Sequence, residues 1–158
     1  MSTNTRRMLC SADDVFEVIA DGWTYPAWVV GASRMRQVGA NWPRVGEHIR
    51  HSFGPWPLVI DDRTTVLEWD PPRRVVLRAQ GWPLGEAIIE IDAQPRGEHC
   101  VVRMREWASA GPASWLPNAL LDIPLSIRNR ETLQRLALIA EGHAGPDHDQ
   151  SAAEGDDA

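Results

Sequence analysis

Two ionisable side chains, His51 and Glu106, are candidates for acid–base chemistry because the patterns around them turn both inward. Each belongs to an alternating run, Glu47–Phe53 and His99–Trp107, in which arginines occupy the opposite positions. Because charged arginine side chains are expected to face solvent, the alternating positions should face inward. His51 and Glu106 therefore share the inner faces of their strands with apolar residues. Histidine transfers protons near neutral pH, and an inward carboxyl can act as a general acid or base.

Each candidate also has a purely structural interpretation, and that interpretation is favoured for both. Glu106 can pair with an arginine such as Arg128 or Arg130. His51 can be a core histidine that is hydrogen-bonded to a backbone carbonyl. The catalytic residues are therefore unknown from the sequence, with these two as the candidates.

No stronger catalytic or metal-binding signature accompanies them. Asp61 and Asp62 are adjacent in one strand and point to opposite faces, so only one can line a cavity and a simple carboxylate dyad is excluded. The chain has no Gly-rich phosphate loop and no HExxH, CxxC or GxSxG motif. His143 and His148 lie among acids at loose spacing near the C terminus. We expect no metal and no cofactor.

A second group of residues is suited to binding. Ser126 and Asn129 are polar, yet they fall on the same side of the predicted final helix as Leu133, and an inward polar group needs a partner. We expect a cavity to widen beside them, with some of the eight tryptophans near its mouth. The predicted ligand-contacting residues are Trp28, His51, Met104, Glu106, Trp107, Trp115, Ser126 and Asn129.

The elements that must position these residues follow the order strand, two helices, six strands and a long helix. After the first strand, Thr5–Cys10, Ser11 or Asp13 caps a helix that ends before Gly22, and a second short helix follows. The later strands have short connections, which suit antiparallel neighbours. They are Arg34–Val38, Glu47–Phe53, Leu58–Trp69, Arg73–Gln80, Glu86–Asp92 and His99–Trp107. The alternation of apolar and polar residues along these strands predicts which side chains point inward. They are Ile49, Phe53, Val75, Leu77, Ala79, Ala87, Ile89, Ile91, Val102 and Met104.

The long helix is predicted from about Pro124 to Glu141, after a shorter turn or helix over Ala113–Asp122. One face is apolar and should be sealed against the sheet, through Leu133, Leu136, Ala137 and Ala140. Arg128, Glu131 and Arg135 fall on the opposite side. The sequence thus predicts one domain over residues 1–142 and a disordered, acidic tail over 143–158.

The charge balance argues against a nucleic-acid partner. The net charge of −6 comes from 22 acids against 16 bases, all of them arginine, and six of the acids lie at or beyond the predicted helix end. The remaining body is nearly neutral, with scattered arginines and no uncompensated patch.

The apolar content and the cysteines indicate a cytoplasmic protein. No stretch is long or apolar enough to span a membrane, and Met1–Cys10 lacks the apolar core of a signal peptide. We expect no membrane insertion and a monomer or homodimer. Cys10 and Cys100 have no metal-binding spacing and are predicted to be reduced core residues.

Four segments resemble the SRPBCC superfamily, also described as START-like or polyketide cyclase/dehydrase-like. They are DVFEVIADGWTYPAWVVG, WPRVGEHIRHSFG, VLEWDPPRRVVLRA and RNRETLQRLALIAEG, and the resemblance covers roughly Arg6 to Gly142. It implies the α+β helix-grip fold, in which a seven-stranded, curved antiparallel sheet wraps around a long C-terminal helix and a cavity opens between them. It also implies that the first and last strands pair, which could bring Cys10 near Cys100.

Three functions follow from these expectations. The favoured one is the binding of an apolar, cyclic or aromatic small molecule, such as a polyketide or lipid-like metabolite, in the implied cavity. The alternative is an enzyme of the polyketide cyclase, aromatase or dehydratase type, in which Glu106 or His51 moves protons. A third hypothesis, an interaction module resembling the chaperone-activator branch, predicts an exposed apolar patch instead. A filled or absent cavity would contradict both ligand hypotheses.

Overall fold

Seven antiparallel strands form one curved sheet in the computed structural model, which describes residues 1–54, 57–81, 85–112 and 118–145. The order across the sheet is β1-β7-β6-β5-β4-β3-β2, so the first and last strands pair. This confirms the predicted α+β helix-grip fold. The strands are β1 (Ser2–Met8), β2 (Ala32–Val38), β3 (His48–Phe53), β4 (Ile60–Asp70), β5 (Arg74–Gly81), β6 (Gly85–Arg96) and β7 (His99–Ala110).

Two short helices follow β1, as predicted. The first, α1 (Ala12–Ala20), begins with a capping box, in which the Ser11 hydroxyl accepts a hydrogen bond from the Asp14 amide and the Asp14 carboxylate accepts one from the Ser11 amide. Its apolar side is buried. A 3₁₀ turn (Gly22–Thr24) leads into α2 (Tyr25–Trp28).

The final helix, α3 (Asn118–Ala144), is longer than predicted at both ends. The expected break before Pro124 is wrong, because the helix continues through this proline. The preceding residues, such as Ala119 and Leu120, are strong helix formers, which offsets part of the cost of a proline that lacks a backbone donor and crowds the carbonyl four residues earlier. Among the residues that the structure describes, no helix is long and apolar enough to cross a membrane.

The end of α3 also corrects the predicted tail. His143 and Ala144 are helical, and the Glu141 carboxylate accepts a hydrogen bond of 2.8 Å from the Leu9 amide, which joins α3 to the segment after β1. The rest of the predicted tail, residues 146–158, lies outside the described residues.

The predicted inner face of the sheet lies in the core. Alternation predicted a set of inward side chains, and most of them are buried. The buried ones are Ile49, His51, Val75, Leu77, Ile89, Ile91, Val102, Met104 and Glu106. The sealed face of α3 is also confirmed, through Leu133, Leu136, Ala137 and Ala140. Their burial removes apolar surface from water, which is the main stabilising contribution to the fold.

Strand ends are where the sequence was least informative. β1 covers Ser2–Met8 and not Thr5–Cys10, because backbone pairing with β7 extends over the polar residues at its start. Here Ser2 and Asn4 are buried and hydrogen-bonded to each other. The turn between β6 and β7 consists of Gly97 and Glu98 only, with Gly97 in the left-handed region at φ +67.

Both cysteines lie in the core, as predicted, and both have free thiols. Burial raises the pKa of Cys10 to about 12, with a further contribution from the neighbouring Cys100. Burial likewise raises the pKa of Cys100. Since the thiolate is the reactive form, both residues are inert, buried side chains at neutral pH.

Candidate functional site

A cavity of about 200 Å³ lies between the inner face of the sheet and the N-terminal half of α3. Strands β3 to β7 supply its floor, α2 closes one side, and Leu125, Arg128 and Thr132 of α3 cover it. The wall is mainly apolar. Its apolar residues include Trp28, Val29, Phe53, Ile60, Leu77, Ile89 and Met104.

The first set of polar side chains at this wall is a hydrogen-bonded chain that runs from Tyr25 through Thr64 to His51. The His51 Nε2 atom lies 3.1 Å from the Thr64 hydroxyl, which in turn lies 3.2 Å from the Tyr25 hydroxyl. The rings of Tyr25 and His51 are 4.9 Å apart. A carboxylate oxygen of Asp62 lies 3.9 Å from His51 Nε2, which is too long for a hydrogen bond. These four residues form the histidine cluster.

Burial sets the charge of the histidine cluster. Burial lowers the pKa of His51, although the Asp62 carboxylate opposes the shift. Burial raises the pKa of Asp62, against the effect of His51 and of two backbone amides, one of which, that of Gln80, donates to Asp62 at 3.0 Å. Burial also raises the pKa of Tyr25. Burial therefore favours the neutral forms of both His51 and Tyr25 at the cavity wall.

The second polar group joins β7 to α3 through an ion pair. The Arg128 guanidinium donates to the Glu106 carboxylate and, at 3.1 Å, to the Asn129 side-chain oxygen. It also lies 5.8 Å from the centre of the Phe53 ring, within reach of a cation–π interaction. The structural interpretation of Glu106, a carboxylate paired with Arg128, is thus confirmed.

The predicted ligand-contacting residues divide between the cavity and other places. Trp28, His51, Met104 and Glu106 line the cavity. Trp107 is half-buried on β7, at a position that alternates with the inward Glu106, and is not among the lining residues. Trp115 lies outside the described residues.

Ser126 and Asn129 are a correction, since neither lines the cavity. The Ser126 hydroxyl donates to the Asn4 side-chain oxygen of β1 at 3.1 Å, and Asn129 is fully buried beside Arg128. The cavity is covered by the neighbouring row, Leu125, Arg128 and Thr132. A helical wheel centred on Leu133 places Ser126 and Asn129 on the inner side and Arg128 opposite, so it does not identify the row that meets the cavity.

Sequence reasoning missed Tyr25, Thr64 and Thr132, although a signal was present for Thr64. Asp62, Thr64 and Val66 alternate in β4, and the apolar Val66 marks their shared face as the inner one. As predicted for the adjacent aspartates, only Asp62 lines the cavity, whereas Asp61 is exposed and accepts a hydrogen bond from Arg36. Tyr25 and Thr132 come from helices, where the sequence pattern does not distinguish cavity from core.

Residues 2–141 match the family described as polyketide cyclase / dehydrase and lipid transport. The chain belongs to this family. The match spans all seven strands and nearly all of α3, so the family assignment includes every element that borders the cavity. No curated protein matches the chain.

Solved structures of low sequence identity share the fold. The di-domain ARO/CYC StfQ from the steffimycin biosynthetic pathway superposes with a TM-score of 0.70 at 17% identity, over 90% of this chain and 51% of that one. Protein CV1439 from Chromobacterium violaceum gives a TM-score of 0.67 at 16% identity, over 89% and 99% of the two chains. A protein from Rhodobacter sphaeroides gives 0.65 at 18% identity, over 87% and 89%.

Proposed function

We propose that this protein binds an apolar small molecule with a cyclic or aromatic skeleton in the cavity between the sheet and α3. The observation that carries the proposal is the cavity itself, a mainly apolar space of about 200 Å³ beside the buried core. Interiors are otherwise packed to high density, and an unfilled apolar volume of this size costs stability. Membership of a polyketide cyclase and lipid-transport family supports the same class of ligand.

The size of the cavity limits what it holds. About 200 Å³ is below the range of roughly 300–1,000 Å³ that is typical of small-molecule pockets. The cavity therefore suits one compact ring system, or one end of a longer molecule whose remainder extends outside it. The few polar groups of the wall, at His51, Asp62 and Glu106, would fix the orientation of such a ligand.

Filling the cavity with a side chain tests the proposal. Ala87 lines the cavity on β6, whereas its neighbour Ile88 alternates to the other face of the strand. Ala87→Phe should weaken binding of the neutral fluorescent probe 1-aminoanthracene at least tenfold, and Ile88→Phe should leave the affinity unchanged. Thermal unfolding of both variants checks that they fold. Equal affinity in wild type and Ala87→Phe would remove the cavity as the binding site.

Native mass spectrometry of freshly purified protein provides a direct second test. A co-purified molecule that dissociates on activation should add a discrete mass to the wild type and be absent from Ala87→Phe. Retention of the same mass by the filled variant would contradict binding in the cavity.

An enzyme of the polyketide cyclase or dehydratase type is the second candidate, and the histidine cluster favours it. A neutral His51 at an apolar wall is suited to take a proton from an acidic C–H group of a bound poly-β-ketone. The wild type should then convert a synthetic linear poly-β-ketone thioester to a cyclised or dehydrated product, followed by liquid chromatography and mass spectrometry. His51→Gln should abolish turnover and retain affinity for the probe. Binding without turnover in the wild type would leave the binding function alone.

A further inference from the structure

The outer face of the sheet carries a second concave site, on the side opposite the cavity. A groove of about 420 Å³ crosses β2 to β5. Because arginine is the most frequent residue in its lining, we name it the arginine groove. It is lined by Arg36, Gln37, Arg50, His51, Asp61, Asp62, Arg63 and Gln80.

Two arginines stand side by side at the centre of the arginine groove. Arg50 of β3 and Arg63 of β4 are direct partners in the antiparallel register, and both side chains are exposed. Directly opposed residues have their Cβ atoms about 4.5–5.5 Å apart, and like charges at this spacing repel each other. Among the residues that the structure describes, neither guanidinium forms an ion pair or a hydrogen bond.

The outward arginines on the other half of the same face are arranged differently. Arg74, Arg103 and Arg105 each contact a carboxylate of Glu90 or Asp92, at distances of 2.5–3.3 Å. These ion pairs hold the pKa of Asp92 below its ordinary value, even though burial acts in the opposite direction. The protein therefore neutralises closely spaced arginines in one half of the outer face and leaves Arg50 and Arg63 without that compensation.

The neighbours of this pair are two amides and carboxylates that already have partners, and the Gln80 amide donates to the Glu86 carboxylate at 2.6 Å. Gln37 is the register partner of Arg50, and Gln80 is the register partner of Arg63, so the two amides flank the arginines in one row. The exposed carboxylate of Asp61 is already bound to Arg36 at 2.9 Å. The Asp62 carboxylate is buried and accepts a hydrogen bond from a backbone amide.

We propose that Arg50 and Arg63 form a binding site for a phosphate monoester group. A phosphate dianion offers oxygens to both guanidinium groups at once, and such charge-assisted pairs are the strongest hydrogen bonds that a surface site provides. Binding would also relieve the repulsion between the two arginines. An extended polyanion such as nucleic acid is disfavoured, because the arginine pair occupies a single register step and the chain carries a net charge of −6.

A titration of the full-length protein with inorganic phosphate and with phenyl phosphate tests this proposal. Backbone amide signals of residues 50 and 63 are followed by NMR at constant ionic strength, with sodium chloride as the reference salt. Saturable shifts at these amides are expected with phosphate and not with chloride. Tighter binding of phenyl phosphate would identify an ester as the ligand, and equal binding would identify the free phosphate ion.

Matched variants separate the site from general charge effects. Arg50→Gln/Arg63→Gln should weaken phosphate binding at least tenfold, whereas Arg103→Gln, which removes an ion-paired arginine from the same face, should leave the affinity unchanged. The double variant should keep the wild-type melting temperature or exceed it, because it removes a repulsion. Equal phosphate affinity in the double variant and the wild type would overturn the proposal, as would shifts of the same size in chloride. Inorganic phosphate has no apolar part for the cavity to hold, so the outcome with this probe is independent of the function proposed above.

Discussion

The two halves of α3 belong to one continuous helix, but the C-terminal half closes the core and the N-terminal half borders the cavity. In the C-terminal half, Leu133, Leu136 and Ala137 are at most 1% exposed and close the core. In the N-terminal half, Leu125 and Arg128 border the cavity. The C-terminal half gains free energy from burial, whereas the N-terminal half gives up close packing for a space that another molecule can fill.

The boundary between the halves lies at Thr132. This residue lines the cavity, and its hydroxyl accepts a hydrogen bond of 3.2 Å from the Val30 amide, which ties α3 to the end of α2. From Leu133 onward every inward residue is apolar. A single helix therefore has one half that closes the core and one half that borders the cavity, so that substitutions in the C-terminal half should affect mainly stability.

The largest effect is expected in the sealed half. Leu136→Ala removes a fully buried side chain and should lower the free energy of unfolding by about 2–5 kcal/mol. Leu138→Ala, on the exposed side of the same turn at 61% exposure, should change it by less than about 0.5 kcal/mol. Urea unfolding curves measure both values. A similar small loss for both variants would show that the C-terminal half is not sealed.

A smaller effect is expected from the ion pair in the open half. Arg128→Met leaves the Glu106 carboxylate, which is 4% exposed, without its partner and should cost about 1–3 kcal/mol. Adding Glu106→Gln should restore part of that loss, since the buried charge is then removed.

The matched control for this pair lies further along α3. Arg135 and Glu131 form an exposed ion pair one turn apart, and Arg135→Met should cost at most about 0.5 kcal/mol. The same urea unfolding experiment compares the variants. If Arg128→Met is as harmless as Arg135→Met, the open half does not depend on its ion pair.

The smallest effect is the pH dependence that His51 introduces. Because burial lowers its pKa in the folded state, the unfolded chain binds the proton more readily, and His51 favours folding fully above about pH 6.5 and loses this contribution as the pH falls through its folded pKa. The slope is at most about 1.4 kcal/mol per pH unit.

Asp62 acts in the opposite direction. Its pKa is raised by burial, so its contribution to stability is full below about pH 3.8 and is lost as the pH rises through the folded pKa.

Unfolding free energies of wild type and His51→Gln at pH 7.5, 6.5 and 5.5 isolate the histidine contribution. Parallel pH profiles would mean that His51 is not held neutral by burial.

The fold was predictable because it depends on local patterns. Alternation in the strands identified the inner face that holds His51 and Glu106, and the apolar stripe of α3 identified the sealed residues. The pairing of Glu106 with Arg128 was also within reach, because an inward carboxylate requires a cation nearby. The wheel nevertheless assigned Arg128 to the outer side, since it does not account for a long side chain that bends back to a buried partner.

The remainder of the site depends on contacts between distant segments. Tyr25 and Thr64 are 39 residues apart and meet only because α2 packs over β4. Arg50 and Arg63 are neighbours through the register of β3 and β4. The sequence showed scattered arginines, and only the three-dimensional arrangement brings two of them together without a counter-charge.

His51 and Asp62 border both the cavity and the arginine groove. At this point the wall between interior and solvent is one layer of side chains thick. His51 and Asp62 are also register partners in β3 and β4, so the two spaces share one pair of titratable side chains. The charge of the arginine groove can therefore act on the cavity wall across this pair.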